Sequence, residues 1–178
     1  APFQIDTALT QCLTMQRPIY LEILEDVWRA ECCIPTKIAS INDVTKIVTK
    51  EDTDEAVDRT LNLINKYKNK GKASPMFWIG AEVKRFGLQS TLKKLLEISR
   101  YNYTTSILGK SVLSEDTKGF SKVGLPTNAS IVIGLGGWTT SKDVGNNNLT
   151  NEFKTIIAAD GGVHVGRRFY PNVPLSSF

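Results

Sequence analysis

The sequence predicts an α/β fold, a doubly wound parallel sheet with helices on both faces. From residue 52 onward, helical and strand-like segments alternate, which is the order expected of parallel strands joined by crossover helices. The strand-like segments are short, rich in branched residues and apolar on both faces, as strands covered on both sides are. The 178 residues, 41% apolar and 22% charged, suffice for one ordinary core and exclude a disordered or collagen-like chain.

The first 50 residues are less regular than the rest. Apolar residues recur at helical spacing through roughly residues 3–16, which predicts a short amphipathic helix that ends at Arg17-Pro18. Residues 19–24 then predict a mostly buried strand. Residues 25–50 are mixed and polar with little periodicity, so they are interpreted as a linker.

A second helix is predicted from residue 52 to Lys70-Gly71. Asp52 is its expected cap, Glu55 is expected to reach back to the cap, and Gly71 suits a left-handed end. Four apolar residues fall on one helical face and are expected to meet the core: Val57, Leu61, Ile64 and Tyr67.

Strands and one further helix follow along the chain. Strands are predicted over residues 76–80, 103–108, 131–135 and 155–159, with a short closing strand around 163–165 or Val173, and a helix over about 87–100. Residues 111–129 are expected to be a loop with a helical turn near Thr127-Asn128. Because crossovers between parallel strands are right-handed, a Rossmann-like sheet is the favoured topology.

Several predicted strands end in glycine, at the edge where such sheets bind ligands. The candidates for ligand contact at this edge are Gly80, Gly109, Gly136, Gly137 and Asp143, with Asn146–Asn148 beside the last. Glycine lets a phosphate approach the backbone, but turns after strands need glycine as well. Neither phosphate-binding glycine fingerprint is present, so nucleotide binding is the less favoured interpretation.

No catalytic constellation can be identified from the residue types and their spacing. The single histidine, His164, has no candidate nucleophile beside it and is assigned a structural role. Glu22 would suit a general base if it were buried, but it is expected to face solvent or an interface. Asp160-Gly161-Gly162 is interpreted as a turn after a buried strand, not as a metal–diphosphate motif.

Charge and cysteine usage limit the expected partners and compartment. The net charge is +4 with scattered basic residues, so no nucleic-acid partner is expected, and no apolar run is long enough to span a membrane. Cys12 and the vicinal pair Cys32-Cys33 form neither a CxxC motif nor a zinc set, which predicts a reduced, cytoplasmic protein. The start at Ala1 resembles no signal peptide and lacks an initiator Met, so a piece of a longer protein is expected.

The order of several segments resembles the thiamine diphosphate-dependent 2-oxoacid decarboxylases, and the indolepyruvate/phenylpyruvate branch most of all. Residues 17–23 resemble the R-P-V-Y-L-E-I segment that closes their pyrimidine-binding domain, with Leu24 in place of the usual proline. Three later stretches follow the family in order: Gly109-Lys110 to Glu115 with Phe120 and Gly124 after it, residues 131–136 through Asp143, and residues 160–175 with Tyr170-Pro171.

This resemblance implies that residues 1–35 end the pyrimidine-binding domain and begin a linker, and that residues 36–178 form the central domain, with its core over about 52–178. The family's catalytic glutamate lies upstream of such a segment, and the motif that holds Mg²⁺ and the diphosphate lies downstream. Thiamine diphosphate and Mg²⁺ would therefore be held elsewhere in the full-length carboxy-lyase, and this segment alone would be inactive. No catalytic, cofactor-binding or metal residue is transferred to this sequence.

The resemblance also implies partners, and it leaves alternatives open. Flanking domains of the same enzyme and a homodimer or homotetramer at full length are expected, without nucleic acid or membrane. Related enzymes of the acetolactate synthase or benzoylformate decarboxylase type remain possible. A free-standing Rossmann-like domain that binds a nucleotide or another protein is the alternative from a different class.

Overall fold

The computed structural model describes residues 2–33, 49–68, 73–137 and 154–178. The chain divides into two units, Ala1–Lys46 and Ile47–Phe178. In the first unit, helix α1 spans Pro2–Met15, which confirms the predicted helix. Gln16, with a φ of 50°, follows the helix just ahead of Arg17-Pro18. None of the described residues 2–33 is buried.

The predicted buried strand over residues 19–24 is wrong. Residues 17–24 have no regular structure and are exposed, and a single 3₁₀ turn, Glu25–Val27, follows them. A strand forms only where a neighbouring strand pairs with its backbone, and none of the described residues pairs with this segment. Most of the predicted linker, residues 34–48, lies outside the described residues.

In the second unit, helix α2 spans Lys50–Tyr67 and so begins before the predicted start. Its N-cap residue is Thr49, whose hydroxyl donates a hydrogen bond to the Asp52 carboxylate at 2.5 Å. Asp52 is therefore not the cap. The predicted end at Lys70-Gly71 lies outside the described residues.

The buried face of α2 agrees with the prediction in part. Ala56 and Thr60 are buried, whereas Leu61 is 53% exposed. Ile64 and Tyr67 are partly buried against the core. Alanine at the contact lets a helix approach its neighbour closely, and a hydropathy pattern gives that small residue little weight.

Two further helices follow the first strand of this unit. Helix α3 is a single turn, Glu82–Arg85, and it is too short to show a period in the sequence. Helix α4 spans Gln89–Ser99, which confirms the predicted helix. Its inward residues are Leu92 and Leu96, and Arg100 ends it in the left-handed conformation.

Seven strands form one mixed sheet: β1 (Met76–Ile79), β2 (Asn102–Thr105), β3 (Phe120–Val123), β4 (Val132–Leu135), β5 (Thr155–Ala159), β6 (Gly162–Val165) and β7 (Arg168–Tyr170). Their order is β3-β2-β1-β4-β5-β6-β7. All pairs from β3 to β5 are parallel, and β6 and β7 add antiparallel. The α/β, Rossmann-like fold class is confirmed, and the all-parallel sheet is corrected to a mixed one.

The sequence missed β3 and β7 for physical reasons. β3, predicted to lie within a loop, is an edge strand that pairs with β2 alone and alternates too little between apolar and polar residues to stand out. β7 is three residues long and belongs to a meander with β5 and β6. Antiparallel strands need only tight turns between them, so no intervening helical segment marks their positions in the sequence. Strand β2 is also shorter than predicted, because the chain turns at residues 107–112.

One apolar core joins the sheet to α2, α3 and α4. Its fully buried members include Ala56, Ile79, Tyr103, Ile156, Ala158, Val163 and Val173. The hydroxyl of Tyr170 donates a hydrogen bond to Glu55 at 2.8 Å and so ties β7 to α2. Burial raises the pKa of Tyr170, and the hydrogen bond to Glu55 raises it further. Burial likewise raises the pKa of Tyr103 on β2.

The second face of the sheet is organised around Trp78, which is fully buried. A Cβ on Gly134, in the middle of β4, would lie 3.2 Å from the Trp78 ring and 2.6 Å from the Ile157 side chain. A glycine inside a strand marks such a close approach. Among the described helices, none combines the length and apolar character needed to cross a membrane.

Candidate functional site

The carboxyl ends of the parallel strands lie along one edge of the sheet, the rim, which contains Gly80, Gly109, Gly136 and Gly137. β1 is flanked by β2 on one side and by β4 on the other. The strand order therefore reverses between β1 and β4, which is where open α/β sheets bind ligands. The structure brings all four predicted glycines to this position. Asp143 and Asn146–Asn148 lie outside the described residues.

Two of the rim glycines, Gly80 and Gly109, pack closely against backbone atoms. A Cβ on Gly80 would lie 2.1 Å from the Gly136 carbonyl oxygen and 2.2 Å from the Gly137 Cα. A Cβ on Gly109 would lie 2.4 Å from the Ile79 carbonyl oxygen. Backbone atoms cannot move aside as a flexible side chain can, so these positions require glycine for packing. The turn interpretation of the glycines accounts for them without a bound phosphate.

Glu82 is a rim residue to which the sequence assigned no role. It begins α3 directly after β1, and it is only 2% exposed. Its backbone N–H donates to the Gly136 carbonyl at 3.1 Å, and its carboxylate accepts a hydrogen bond from the Asp160 N–H at 2.8 Å. The side chain thus joins the end of β1 to the end of β5. An acidic residue three positions beyond the apolar strand β1 was the available signal, but its burial could not be read from the sequence.

Glu82 has a positioning role in this arrangement. A carboxylate can be buried when hydrogen bonds replace its water, and the Asp160 N–H supplies one such bond. It holds the turn after β5 against α3. The described contacts show the carboxylate held by the protein's own backbone, which suits a structural anchor.

The turn after β2 is also fixed by internal hydrogen bonds. The Ser106 N–H donates to the Ile79 carbonyl at 2.8 Å, and the Ser106 hydroxyl oxygen accepts from the Gly109 N–H at 3.0 Å. The Lys110 ammonium lies 3.3 Å from the Glu115 carboxylate, with both side chains about half exposed. The lysine and the glutamate of the GK…SE segment are therefore ion-pair partners.

The remaining candidates lie away from the rim glycines. His164 is on β6, opposite Ile157 on one side and Phe169 on the other, and its exposed ring stacks on the Phe169 ring at 4.3 Å between centroids. This stacking suits the structural role that the sequence favours. Glu22 is exposed, as expected for a residue that faces solvent or an interface.

The three cysteines lie in the first unit and are free. Cys12 is half-buried on α1, and Cys32 and Cys33 are exposed. None of the described cysteines shares a disulfide or a group of potential metal ligands.

Asp160 and Gly161 form the two-residue turn of the β5–β6 hairpin, because Ala159 pairs with Gly162 across it. This agrees with the turn predicted for Asp160-Gly161-Gly162. Within the described ranges, no three His, Cys, Asp or Glu side chains are grouped so that they could hold a metal ion.

The chain is similar to the probable pyruvate decarboxylase Pdc101 of Schizosaccharomyces pombe. The two sequences are 28% identical over 123 residues, which make up 69% of this chain and 21% of that protein. The chain thus spans about a fifth of the length of the curated relative that it matches. No family model matches the chain. This similarity is in line with the resemblance of the ordered segments to the 2-oxoacid decarboxylases.

Proposed function

We propose that this chain is the central-domain portion of a thiamine diphosphate- and Mg²⁺-dependent decarboxylase of 2-oxo acids. The observation that carries the proposal is the similarity to the pyruvate decarboxylase of S. pombe across 123 residues. The α/β sheet of the second unit is consistent with a domain of such an enzyme. Within the family, the ordered segments favour an enzyme of the indolepyruvate or phenylpyruvate type.

In this proposal the second unit is a scaffold. The close-packed rim glycines and the Glu82–Asp160 hydrogen bond make the carboxyl edge of the sheet rigid. The cofactor, bound by the flanking domains, supplies the chemistry that stabilises the negative charge left by loss of CO₂. The residues of this chain position those domains relative to one another and contribute to subunit contacts in a cytoplasmic homodimer or homotetramer.

The first unit supports the same proposal. Helix α1 carries apolar residues at helical spacing, yet Phe3 is 82% exposed, and Leu9 and Leu13 are nearly half exposed. A helix of this kind is stabilised chiefly by packing its apolar face on another surface. The end of a pyrimidine-binding domain would find that surface in the rest of its own domain.

The rival function, a free-standing nucleotide-binding module, has less support from the rim. The glycines that would have cradled a phosphate are in contact with one another and with the start of α3. A nucleotide that binds only the folded state would raise the melting temperature, and above its dissociation constant the rise would grow with the logarithm of the nucleotide concentration. We expect ADP, NAD and FAD to leave the melting temperature of the chain unchanged.

The proposal is tested by expressing the full coding sequence beside the 178-residue chain. Both are assayed for CO₂ release with thiamine diphosphate and Mg²⁺, using pyruvate, indolepyruvate and phenylpyruvate as substrates. We expect the full-length protein to be active, with the aromatic acids preferred, and the chain to be folded by circular dichroism but inactive. A full-length protein that binds thiamine diphosphate and decarboxylates none of these acids would contradict the proposal.

A matched pair of variants in the full-length enzyme tests whether the rim only stabilises the fold or is part of the active site. Gly80→Ala is expected to lower the thermal stability while leaving kcat per folded molecule within about twofold, because the glycine touches only backbone. Gly161→Ala, where a Cβ meets nothing within 4 Å, is the control and should change neither quantity. Loss of kcat in a fully folded Gly80→Ala enzyme would instead make the rim part of the active site.

A further inference from the structure

Cys32 and Cys33 are adjacent cysteines on the surface of the first unit. Both side chains are exposed, and both thiols are free. Cysteine is among the residue types most often buried, so two neighbouring exposed thiols are unusual. Packing does not account for them, since none of the described residues 2–33 is buried. Where packing gives a cysteine no role, its function lies in the reactivity of the thiol.

The backbone around the pair lets both side chains turn toward one centre. The 3₁₀ turn ends at Val27, whose carbonyl accepts a hydrogen bond from the Ala30 N–H at 3.1 Å. Residues 31–33 then belong to no helix or strand. Consecutive Cα atoms are about 3.8 Å apart, so rotation about the side-chain bonds can bring the two sulfurs to one common atom.

A disulfide between the two sulfurs is not the chemistry that this spacing favours. Disulfides usually join Cα atoms about 4.4–6.8 Å apart, whereas a trans peptide holds the Cα atoms of Cys32 and Cys33 at about 3.8 Å. Closing the bond therefore strains the peptide, and strained disulfides are readily reduced. A centre that binds both sulfurs adds one atom to the ring and relieves that strain.

The number and angle of the ligands decide which centre the pair suits. Structural zinc takes about four ligands, and within the described ranges no three His, Cys, Asp or Glu side chains are grouped to hold a metal ion. Copper(I) favours thiolates, but a pair of ligands binds it on opposite sides, which adjacent residues span poorly. Trivalent arsenic is pyramidal, so two of its bonds form a bent angle that neighbouring thiols can span.

We propose that Cys32 and Cys33 form a dithiol site for monosubstituted trivalent arsenicals. An arsenical of the form R–As=O condenses with both thiols. Two As–S bonds form, the arsenic–oxygen bond breaks, and the two thiol protons leave with the oxygen as one water molecule. Arsenic stays trivalent, so the step requires no oxidant or reductant. The proposal concerns the first unit and does not depend on decarboxylase chemistry.

Phenylarsine oxide, added to the reduced 178-residue chain, is the probe that tests the site. By mass, one phenylarsenic group is expected to replace two hydrogen atoms in each chain, and Cys12 should remain reactive toward dithionitrobenzoate. The bound group should survive excess glutathione, a monothiol, and be released by dimercaptopropanol, a dithiol. Release by glutathione would overturn the proposal. One arsenic for every two chains would mean that it bridges separate chains, and would overturn the proposal as well.

Serine variants locate the two sulfurs. Cys32→Ser and Cys33→Ser each leave one thiol of the pair, and because two linked groups bind far more tightly than one, each should weaken binding by roughly a hundredfold. Cys12→Ser is the control, because Cys12 is half-buried on α1 without a neighbouring cysteine. It should leave the affinity unchanged. Tight binding that persists in either variant of the pair would mean that Cys12 supplies a sulfur, and would overturn the proposal.

A thiol count distinguishes arsenical binding from disulfide formation. In a glutathione buffer at the cytosolic potential, Cys12, Cys32 and Cys33 are all expected to stay reduced, because a vicinal disulfide is strained. Loss of the two thiols of the pair under those conditions would show that disulfide exchange is their chemistry and would overturn the proposal. These measurements use no decarboxylase substrate, so this proposal and the proposed function can fail separately.

Discussion

The two units of the chain differ in how far their apolar side chains are buried. In the second unit, Trp78, Ile79 and Ile156 are fully buried in a sheet that helices cover. In the first, none of the described residues 2–33 is buried, although α1 carries apolar residues at helical spacing. An amphipathic pattern therefore predicts where a helix forms. Whether the apolar face of that helix is buried depends on another surface, which the helix's own sequence does not reveal.

The largest expected effect tests this difference directly, by truncating one apolar side chain in each unit. Ile79→Ala should lower the free energy of unfolding by about 4 kcal/mol, because it leaves a cavity in a packed core. Leu24→Ala, at a residue that is 65% exposed, should change it by less than about 0.5 kcal/mol. Urea unfolding of both variants measures the two losses. A comparable loss in Leu24→Ala would mean that the first unit also has a buried core.

The next prediction sharpens the comparison within the second unit, at the rim. Gly80→Ala should cost about 3 kcal/mol, because its Cβ would overlap the backbone of Gly136 and Gly137. Gly161→Ala has open space around its Cβ and should stay within about 0.5 kcal/mol. Denaturant titrations under identical conditions compare them. Equal, small losses would show that the rim has room for side chains.

A smaller effect concerns the hydrogen bond between β7 and α2. Tyr170→Phe removes the donor to Glu55 and should cost about 1 kcal/mol near neutral pH. Burial, and then Glu55, raises the pKa of Tyr170 above its unfolded value near 10. The stabilisation is thus complete below about pH 10 and is lost as pH rises further, because the unfolded chain releases the proton first.

Unfolding measured between pH 8 and about 11.5 checks the sign of this pKa shift. The native chain should lose stability above about pH 10 more steeply than Tyr170→Phe does. The stability of Tyr170→Phe should still decrease somewhat with rising pH, because burial also raises the pKa of Tyr103. An equal decrease in the free energy of unfolding with pH for Tyr170→Phe and the native chain would contradict the role given to Tyr170.

The smallest effect is predicted for the ion pair between Lys110 and Glu115. Both side chains are about half exposed, so water and salt weaken their attraction. A double-mutant cycle with Lys110→Ala and Glu115→Ala should give a coupling below about 0.5 kcal/mol that disappears at high salt. A coupling above about 1.5 kcal/mol that persists at high salt would contradict this prediction and show that the ion pair stabilises the fold.

Much of the second unit could be predicted from the sequence, because β1, β4 and β5 are largely continuous apolar runs and α4 has a clear period. The site was predicted in part. Gly80, Gly109, Gly136 and Gly137 do meet at one edge. The backbone contacts of Gly80 and Gly109 and the contact of Gly137 with the Trp78 ring follow from tertiary packing that no local pattern encodes. Glu82 was missed because an acidic residue after a strand is usually solvated. The hydrogen bond from the Asp160 N–H, which helps to stabilise the buried carboxylate, joins residues 78 positions apart in the sequence.

The remaining errors have a common cause. Residues 19–24 resemble a strand in composition, yet no described residue pairs with them. Strand β3 has the opposite character, since its composition is unremarkable and its pairing with β2 makes it a strand. Strand formation depends on hydrogen bonds to residues distant in the sequence. Residue composition therefore predicts strands less well than the helical spacing of apolar residues predicts helices.

The central claim is that this chain is the middle of a larger decarboxylase, and sequencing the coding DNA on both sides of the segment tests it most directly. The account predicts one open reading frame that continues upstream into a glutamate-bearing pyrimidine-binding domain and downstream into a G-D-G…N motif for Mg²⁺ and diphosphate. Stop codons that bracket the segment would contradict the account, and a free-standing binding domain would then become the leading interpretation.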